Sequence, residues 1–354
     1  MITSTPGKLI LMGEHAVVYG CPALVVAIDP RTRVELREGG ESGVELDLVD
    51  LRIREKCSWA EILAYAHRVR VSWQRFAEDP SEEAFGQQAN APTRVVKVAL
   101  GESLMELGLE DLPGLHLRVE SDLPLGSGYG SSASVSVGVA AALFGHLEGT
   151  WDEERIARVA LETERRQHGW PSGVDHQTVL RGGGIWFRSI EGEGLEIEPL
   201  QIPPDVAGRF KVYQTGTPRE TTGMVVAAVR RRRDSDRRGF ERLLSEMEEA
   251  VIALKGEVVD PAPDPVRLAE EIKSYEGCLE RLGVVPETVV DVIRQLESMG
   301  AVAKLSGAGA LSGVAAGSLL TFWPGDFPQE GLEAIPFQEL PVALGAAGVM
   351  AEMA

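Results

Sequence analysis

Apolar positions along the chain alternate between short runs and helical spacings. Residues 8–12 and 23–28 are apolar runs flanked by glycine and proline, and they read as strands. Residues 32–37 and 44–49 alternate roughly around a Gly-Gly separator, which predicts a hairpin. Helical spacing predicts helices over 58–78 and 93–107, the second opened by Pro92-Thr93, with the polar stretch 80–92 between them as a mobile loop. Residues 115–121 alternate cleanly as a half-buried strand. A run of small apolar residues over 133–147 reads as a buried helix. Asp152 reads as the cap of a helix over 153–168, with Glu153 and Glu154 in its first turn. A polar loop, 169–177, and a glycine-rich strand pair near 183–188 and 194–199 follow.

Pro199, Pro203 and Pro204 mark a boundary, so the expected domains are 1–205 and 206–354. The second half opens with a strand, 210–214. A polar loop, 215–222, leads into a helix from about 223 that ends in the arginine run 230–233. Helical patterns cover 239–254, 265–282 and 286–299. Strands are expected at 301–305 and 318–323, around the segment 306–313. Strands and helices mixed in both halves predict an α+β fold.

A chain of 354 residues exceeds the usual size of a single core, in keeping with two domains. A net charge of -19 excludes a nucleic-acid binder or an electrostatic membrane anchor, both of which need a basic surface. Three cysteines, an odd count with no Cys-x-x-Cys pair and no zinc spacing, point to a reducing cytoplasm. No apolar run reaches the length of a membrane span, and no signal peptide is expected.

Candidate chemistry concentrates in polar corners. Gly126, Gly128 and Gly130, at every second position before a buried helix, let the backbone turn with φ > 0 and aim its amides at a phosphate. Ser131 and Ser132 add hydroxyls where a magnesium ion bridges phosphates. The loop is neither a Walker A sequence nor a dinucleotide fingerprint, and a ligand-free turn is an equal reading. Asp175 is either a base for an attacking hydroxyl or, more simply, a turn residue. Glu164 is a metal ligand or a solvated helical glutamate. Arg219 and Thr221 either hold an anion or cap a helix, and the arginine run is a solvated face.

Three separated stretches resemble one superfamily, the GHMP kinases. Pro6-Gly7-Lys8 with Gly13-Glu14-His15-Ala16-Val17-Val18-Tyr19-Gly20 resembles its first motif. Leu123-Pro124-Leu125-Gly126-Ser127-Gly128-Tyr129-Gly130-Ser131-Ser132-Ala133 resembles its ATP-binding second motif. Lys304-Leu305-Ser306-Gly307-Ala308-Gly309 resembles the start of its third. The first motif, His168-Gly169-Trp170-Pro171-Ser172-Gly173-Val174-Asp175 and Pro218-Arg219-Glu220-Thr221 are most similar to the mevalonate kinase branch.

The resemblance implies two α+β domains, ribosomal S5 domain 2-like and ferredoxin-like, with the active site in the cleft between them. It implies Asp175 as the catalytic carboxylate with Lys8 beside it. ATP would lie on Pro124, Gly126, Ser127, Gly128, Tyr129, Gly130, Ser131, Ser132 and Ala133, and Mg²⁺ on Ser131, Ser132 and Glu164. Glu14, His15, Arg219, Thr221, Gly307 and Ala308 would bind the acceptor, mevalonate, and a homodimer is the family-level expectation. The sequence departs from the pattern at Trp170, at His176-Gln177 after the aspartate, and in a lengthened third motif from Ala310 to Gly317. The competing functions are another kinase of the superfamily acting on phosphomevalonate, a sugar or homoserine, a superfamily decarboxylase, and a non-catalytic regulatory homologue.

Overall fold

The computed structural model of the chain describes residues 1–78, 91–124, 126–150, 152–190, 194–328 and 331–352. Most of the loop expected at 80–92 lies outside these residues. The first half is built from strands β1 (Ile2–Met12), β2 (Ala23–Glu38), β3 (Val44–Leu48), β4 (Ile53–Cys57) and β5 (Leu115–Ser121). Its helices are α1 (Trp59–Glu78), α2 (Arg94–Leu107), α3 (Ser131–Glu148), α4 (Glu153–His168) and α5 (Val174–Arg181). β6 (Gly184–Ile190) and β7 (Gly194–Leu200) close it.

Together with β12 (Met350–Glu352), these strands form one sheet in the order β12-β1-β2-β5-β3-β4, with β6 pairing β2 and β7. Residues 32–37 and 44–49 do not form the expected hairpin. β5 lies between β2 and β3, and β3 pairs antiparallel with β4 and parallel with β5. The Gly-Gly segment therefore connects strands that are not neighbours, and β4, whose charged residues hid its alternation, takes the hairpin position. The runs 23–28 and 32–37 are one strand. Its register with β1 slips between Pro6 and Gly7, where the partner jumps from Arg31 to Ile28, so Pro30 sits at a bulge rather than ending the strand.

α3 is buried on almost every side, as its small apolar residues require. A Cβ on Gly138 would stand 2.8 Å from Val34 Cγ2, so glycine lets the helix lie close on β2. The Thr5 hydroxyl of β1 donates to Ser134 O at 2.9 Å, which holds the first turn of α3 against β1. Asp152 caps α4 as expected, accepting from the Glu154 N–H at 2.8 Å. The loop expected at 169–177 is shorter than predicted. Residues from Val174 onward form α5, which places Asp175 in the first turn of a helix.

The second half follows a short helix, α6 (Pro204–Ala207). It comprises β8 (Phe210–Gly216), α7 (Thr222–Ser235), α8 (Arg237–Val259), α9 (Pro265–Leu282), α10 (Glu287–Ser298), β9 (Val302–Ser306), β10 (Gly317–Phe322) and β11 (Gln338–Leu340). The four strands make an antiparallel sheet in the order β11-β8-β10-β9. The chain end crosses back, and β12 (Met350–Glu352) pairs with β1. One apolar core runs from Leu9, Leu24 and Tyr129 through to Met247, Tyr275 and Leu305, so the two sheets pack through a shared interior. No helix among the described residues is long and apolar enough to cross a membrane.

Candidate active site

A cavity of about 190 Å³ opens where β1, the glycine loop, the ends of α4 and α5, and α7 converge. Lys8 enters it from β1. Its backbone N–H donates to Tyr129 O at 2.9 Å, which locks the strand to the glycine loop. Its ammonium stands 3.0 Å from Asp175 Oδ1. Lys8 is 3% exposed and Asp175 33% exposed, so the lysine is enclosed while the carboxylate faces the open space.

The glycine loop lies along one wall. Gly126, Gly128 and Gly130 all take positive φ, at 68°, 85° and 73°. A Cβ at Gly130 would stand 2.7 Å from Lys8 Cγ, and one at Gly128 would stand 2.9 Å from Ser306 O. The loop is thus glycine-rich partly because it is pressed between Lys8 and the third motif. Gly126, Gly128, Gly130, Ser131, Ser132 and Ala133 line the cavity at the N-terminal end of α3. Such an end, with its free amides and dipole, suits a phosphate. The Tyr129 side chain turns into the core instead, and Ser127 Oγ accepts from Gln214 Nε2 at 3.3 Å. Pro124 also lies outside the cavity lining.

Ser132 Oγ is buried without a hydrogen-bond partner, and Glu164 lines the same cavity. Among the described residues no group of three or more acidic, His or Cys side chains gathers as a metal cage. One carboxylate and an unpartnered hydroxyl beside a phosphate-type pocket fit Mg²⁺, which keeps waters and shares its ligands with phosphates.

The opposite wall is the turn after β1. His15 adopts φ 60°, a strained conformation for a residue with a side chain, and its Nε2 lies 2.9 Å from Ala308 O. The bond joins the first motif to the third. Burial pushes the His15 imidazole down to about 4, so it is neutral at pH 7. Burial also lowers His168, which lines the cavity at the end of α4. Glu14 pairs behind the wall with buried Lys304, and Tyr275 donates to the Glu14 carbonyl at 2.8 Å. Ser306 Oγ binds both the N–H and the carbonyl of Ile10 at 3.0 Å, a second tie between the halves.

Gly307 and Ala308 reach the cavity. Arg219 and Thr221 line an adjoining space of about 230 Å³ that shares Gly126, Gly128, His168, Thr222 and Ala308 with it. Thr221 caps α7, its side chain accepting from the Met224 N–H, which is the helix-cap alternative. The sequence reading missed Thr222 and Val226, which line the cavity from the first turns of α7. It also missed the work of Lys304, Tyr275 and Glu276 behind the wall. A charge inside the apolar strand 302–306, and another on the apolar face of α9, were the available signals.

Trp170 closes one end. Its ring lies 4.6 Å from Phe76 and 4.1 Å below the Arg230 guanidinium, and Trp73 Nε1 donates to Gly169 O at 2.8 Å.

A profile described as the GHMP kinases N terminal domain matches residues 92–183. Mevalonate kinase of Pyrococcus furiosus is 30% identical over 324 residues, covering 87% of this chain and 86% of its own length. Among solved structures, Methanococcus jannaschii mevalonate kinase superposes with a TM-score of 0.73 at 19% identity, covering 97% of this chain and 98% of its own. The L. major mevalonate kinase, solved in complex with R-mevalonate, superposes at 0.63 with 22% identity, covering 91% and 87%.

Proposed function

The chain belongs to the mevalonate kinase family of the GHMP kinases, and from that premise we propose that it transfers the γ-phosphoryl group of ATP to the 5-hydroxyl of mevalonate. The observation that carries the chemistry is the contact of Lys8 with Asp175 at 3.0 Å, in the cavity that the N-terminal end of α3 also faces.

The roles follow from placement. The amides of Gly126 to Ser132 and the positive end of α3 hold the phosphates. Asp175 accepts the proton of the acceptor hydroxyl as that oxygen bonds to the γ-phosphorus and the bond to ADP breaks. Lys8, held by its backbone bond to Tyr129, orients Asp175 and offers charge to the oxygens in transfer. Glu164 and Ser132 would hold Mg²⁺. When bound, the ion supplies charge neutralisation between the phosphate oxygens. The contacts among the first and third motifs, from His15 to Ala308 and from Ser306 to Ile10, fix the distance between the acceptor wall and the nucleotide wall.

The cavity wall favours an unphosphorylated acceptor. Among the described residues Lys8 is the one lysine or arginine lining it, against Glu164 and Asp175, and Arg219 is the one lining the adjoining space. A phosphorylated acceptor needs further cations, whereas a monocarboxylate can be met by neutral donors. His15, neutral and with its one N–H given to the Ala308 carbonyl, leaves Nδ1 as an acceptor for a substrate hydroxyl and brings no charge. Apolar Val17, Val18 and Val226 suit a small branched carbon skeleton.

The test is ADP release with MgATP against mevalonate, phosphomevalonate, homoserine and galactose, with the product identified by ³¹P NMR. The expected result is turnover on mevalonate alone, giving the 5-phosphate. Turnover confined to another acceptor overturns the substrate, and carbon dioxide release marks a decarboxylase.

A further inference from the structure

Neither of the two residues after Asp175 lines the cavity: His176 turns to Glu164, and Gln177 to His176. His176 is buried, and its Nδ1 lies 3.2 Å from Glu164 Oε1. Its Nε2 lies 3.4 Å from Gln177 Nε2. The Gln177 amide is oriented in turn, because its Oε1 accepts from Arg181 Nε at 3.1 Å. An arginine can only donate, so the amide oxygen faces Arg181 and the amide nitrogen faces His176. The nitrogen donates to Nε2, which leaves the proton of a neutral ring on Nδ1, aimed at Glu164. Every bond in the series Arg181, Gln177, His176, Glu164 therefore runs in one direction. It ends by occupying one carboxylate oxygen and leaving the other for the cavity that Glu164 lines.

We propose that His176 and Gln177 are positioning residues that fix the rotamer of Glu164 and so preorganise the divalent-ion site. The inference rests on the reading of Glu164 as a ligand to the ion. A carboxylate on a helix end has several rotamers, and a single donated bond selects the one that meets the phosphates. A partner that orients a metal ligand typically sets about 10–100-fold in metal affinity. The geometry also explains why α5 carries two large polar residues at positions facing its neighbours, where apolar packing alone asks for neither.

The experiment measures Mn²⁺ binding to the enzyme with a non-hydrolysable ATP analogue, by electron paramagnetic resonance of the free ion. The panel is the parent, His176→Asn, His176→Gln, Gln177→Leu and Glu164→Gln. An asparagine amide superposes on the Nδ1 side of imidazole and keeps a donor to Glu164, whereas a glutamine amide superposes on the Nε2 side and does not. Mn²⁺ affinity is expected to stay near the parent value in His176→Asn. It falls about tenfold or more in His176→Gln, and by less in Gln177→Leu. Melting temperatures and metal-free nucleotide affinity stay close to the parent in all of them. Equal affinity in the Asn and Gln variants overturns the positioning role, because a purely structural histidine would not distinguish them. If Glu164→Gln weakens Mn²⁺ while His176→Gln does not, the positioning role falls and the ion placement stands. If Glu164→Gln leaves Mn²⁺ affinity unchanged, both fall.

Discussion

Lys304 and Glu14 form an ion pair with both side chains essentially sealed from solvent, joining a strand of the second sheet to the turn after β1. The pair lies behind the acceptor wall, and Tyr275 and Glu276 pack against it. Burial raises the Glu14 carboxyl and Lys304 opposes that rise. Removing one partner leaves a buried charge unmatched. Lys304→Met is therefore expected to cost ~3–5 kcal/mol in urea denaturation. The loss should shrink at low pH, where Glu14 can protonate, and the double variant Lys304→Met, Glu14→Gln should recover part of it. Equal losses in the single and double variants would show that the pair is not coupled.

Glu276 gives a second, independent pH signature. Burial pushes its carboxyl up to about 8, against the pull of the Leu305 N–H at 3.0 Å. A raised carboxyl means the folded protein holds a proton that the unfolded chain has released. Stability is then fullest below the ordinary glutamate value and declines as pH rises toward about 8, with no further loss from this group above it. Glu276→Gln should flatten that decline, gaining on the parent between pH 5 and 8. Parallel stability curves for parent and variant across that range would remove Glu276 as the cause.

Asp175→Asn keeps the size of the side chain and the contact with Lys8 but removes the proton acceptor. It should lower kcat by about 10²–10⁴-fold with nucleotide affinity little changed. Steady-state kinetics together with calorimetry of ATP binding separate the two. A fall in nucleotide affinity with kcat unchanged would move Asp175 out of the chemical step.

Gly130 links the glycine loop to Lys8. A methyl group there would meet Lys8 Cγ at 2.7 Å, at a φ of 73° that side chains rarely adopt. The flexible lysine stem must yield first, drawing its ammonium off Asp175. Gly130→Ala should therefore lower kcat far more than it weakens ATP. Gly149, also at positive φ but with open space around it, is the control, because Gly149→Ala strains only the end of α3. Equal losses in the two variants would mean that backbone strain, not Lys8, sets the effect.

Much of this arrangement was legible in the sequence because local pattern and local structure agreed. Helix α9 spans the predicted residues 265–282, and Asp152 caps α4 where a carboxylate before an apolar period should. Three motifs far apart in sequence pointed to one cleft, and Lys8, Ser132, Glu164 and Asp175 line it together. Strand order was not legible. Periodicity sets which face of a strand is buried but not its neighbour, so the insertion of β5 between β2 and β3 had no local signature. The polar loop 169–177 hid the start of α5, because polar side chains there serve buried hydrogen bonds: His176 to Glu164, and Thr178 Oγ1 to Val174 O at 2.8 Å. The Lys304–Glu14 pair was invisible for a related reason. Lys304 looked like an exception within the apolar strand 302–306 and Glu14 like a substrate-facing residue of the first motif, until the fold brought the two together.

Trp170 makes the last prediction, because it belongs to the cavity and to the contact between the halves at once. Its ring rests on Phe76 of α1, and the Arg230 guanidinium of α7 lies over its other side at 4.1 Å. An arginine stacked on a tryptophan contributes about 0.5–2 kcal/mol, depending on how far water is excluded. Here that contact fastens the loop before Asp175 to the helix whose first turn supplies Thr222. Trp170→Ala removes the fastening and enlarges the acceptor end, while Lys8, Asp175 and the glycine loop stay in place. The acceptor KM should therefore rise about tenfold, the equivalent of a lost contact of that size, with kcat reduced much less. Arg230→Met keeps the aliphatic stem but not the charge, and it should give a smaller rise in the same direction. If kcat falls while KM holds, Trp170 acts on the placement of Asp175 rather than on the acceptor.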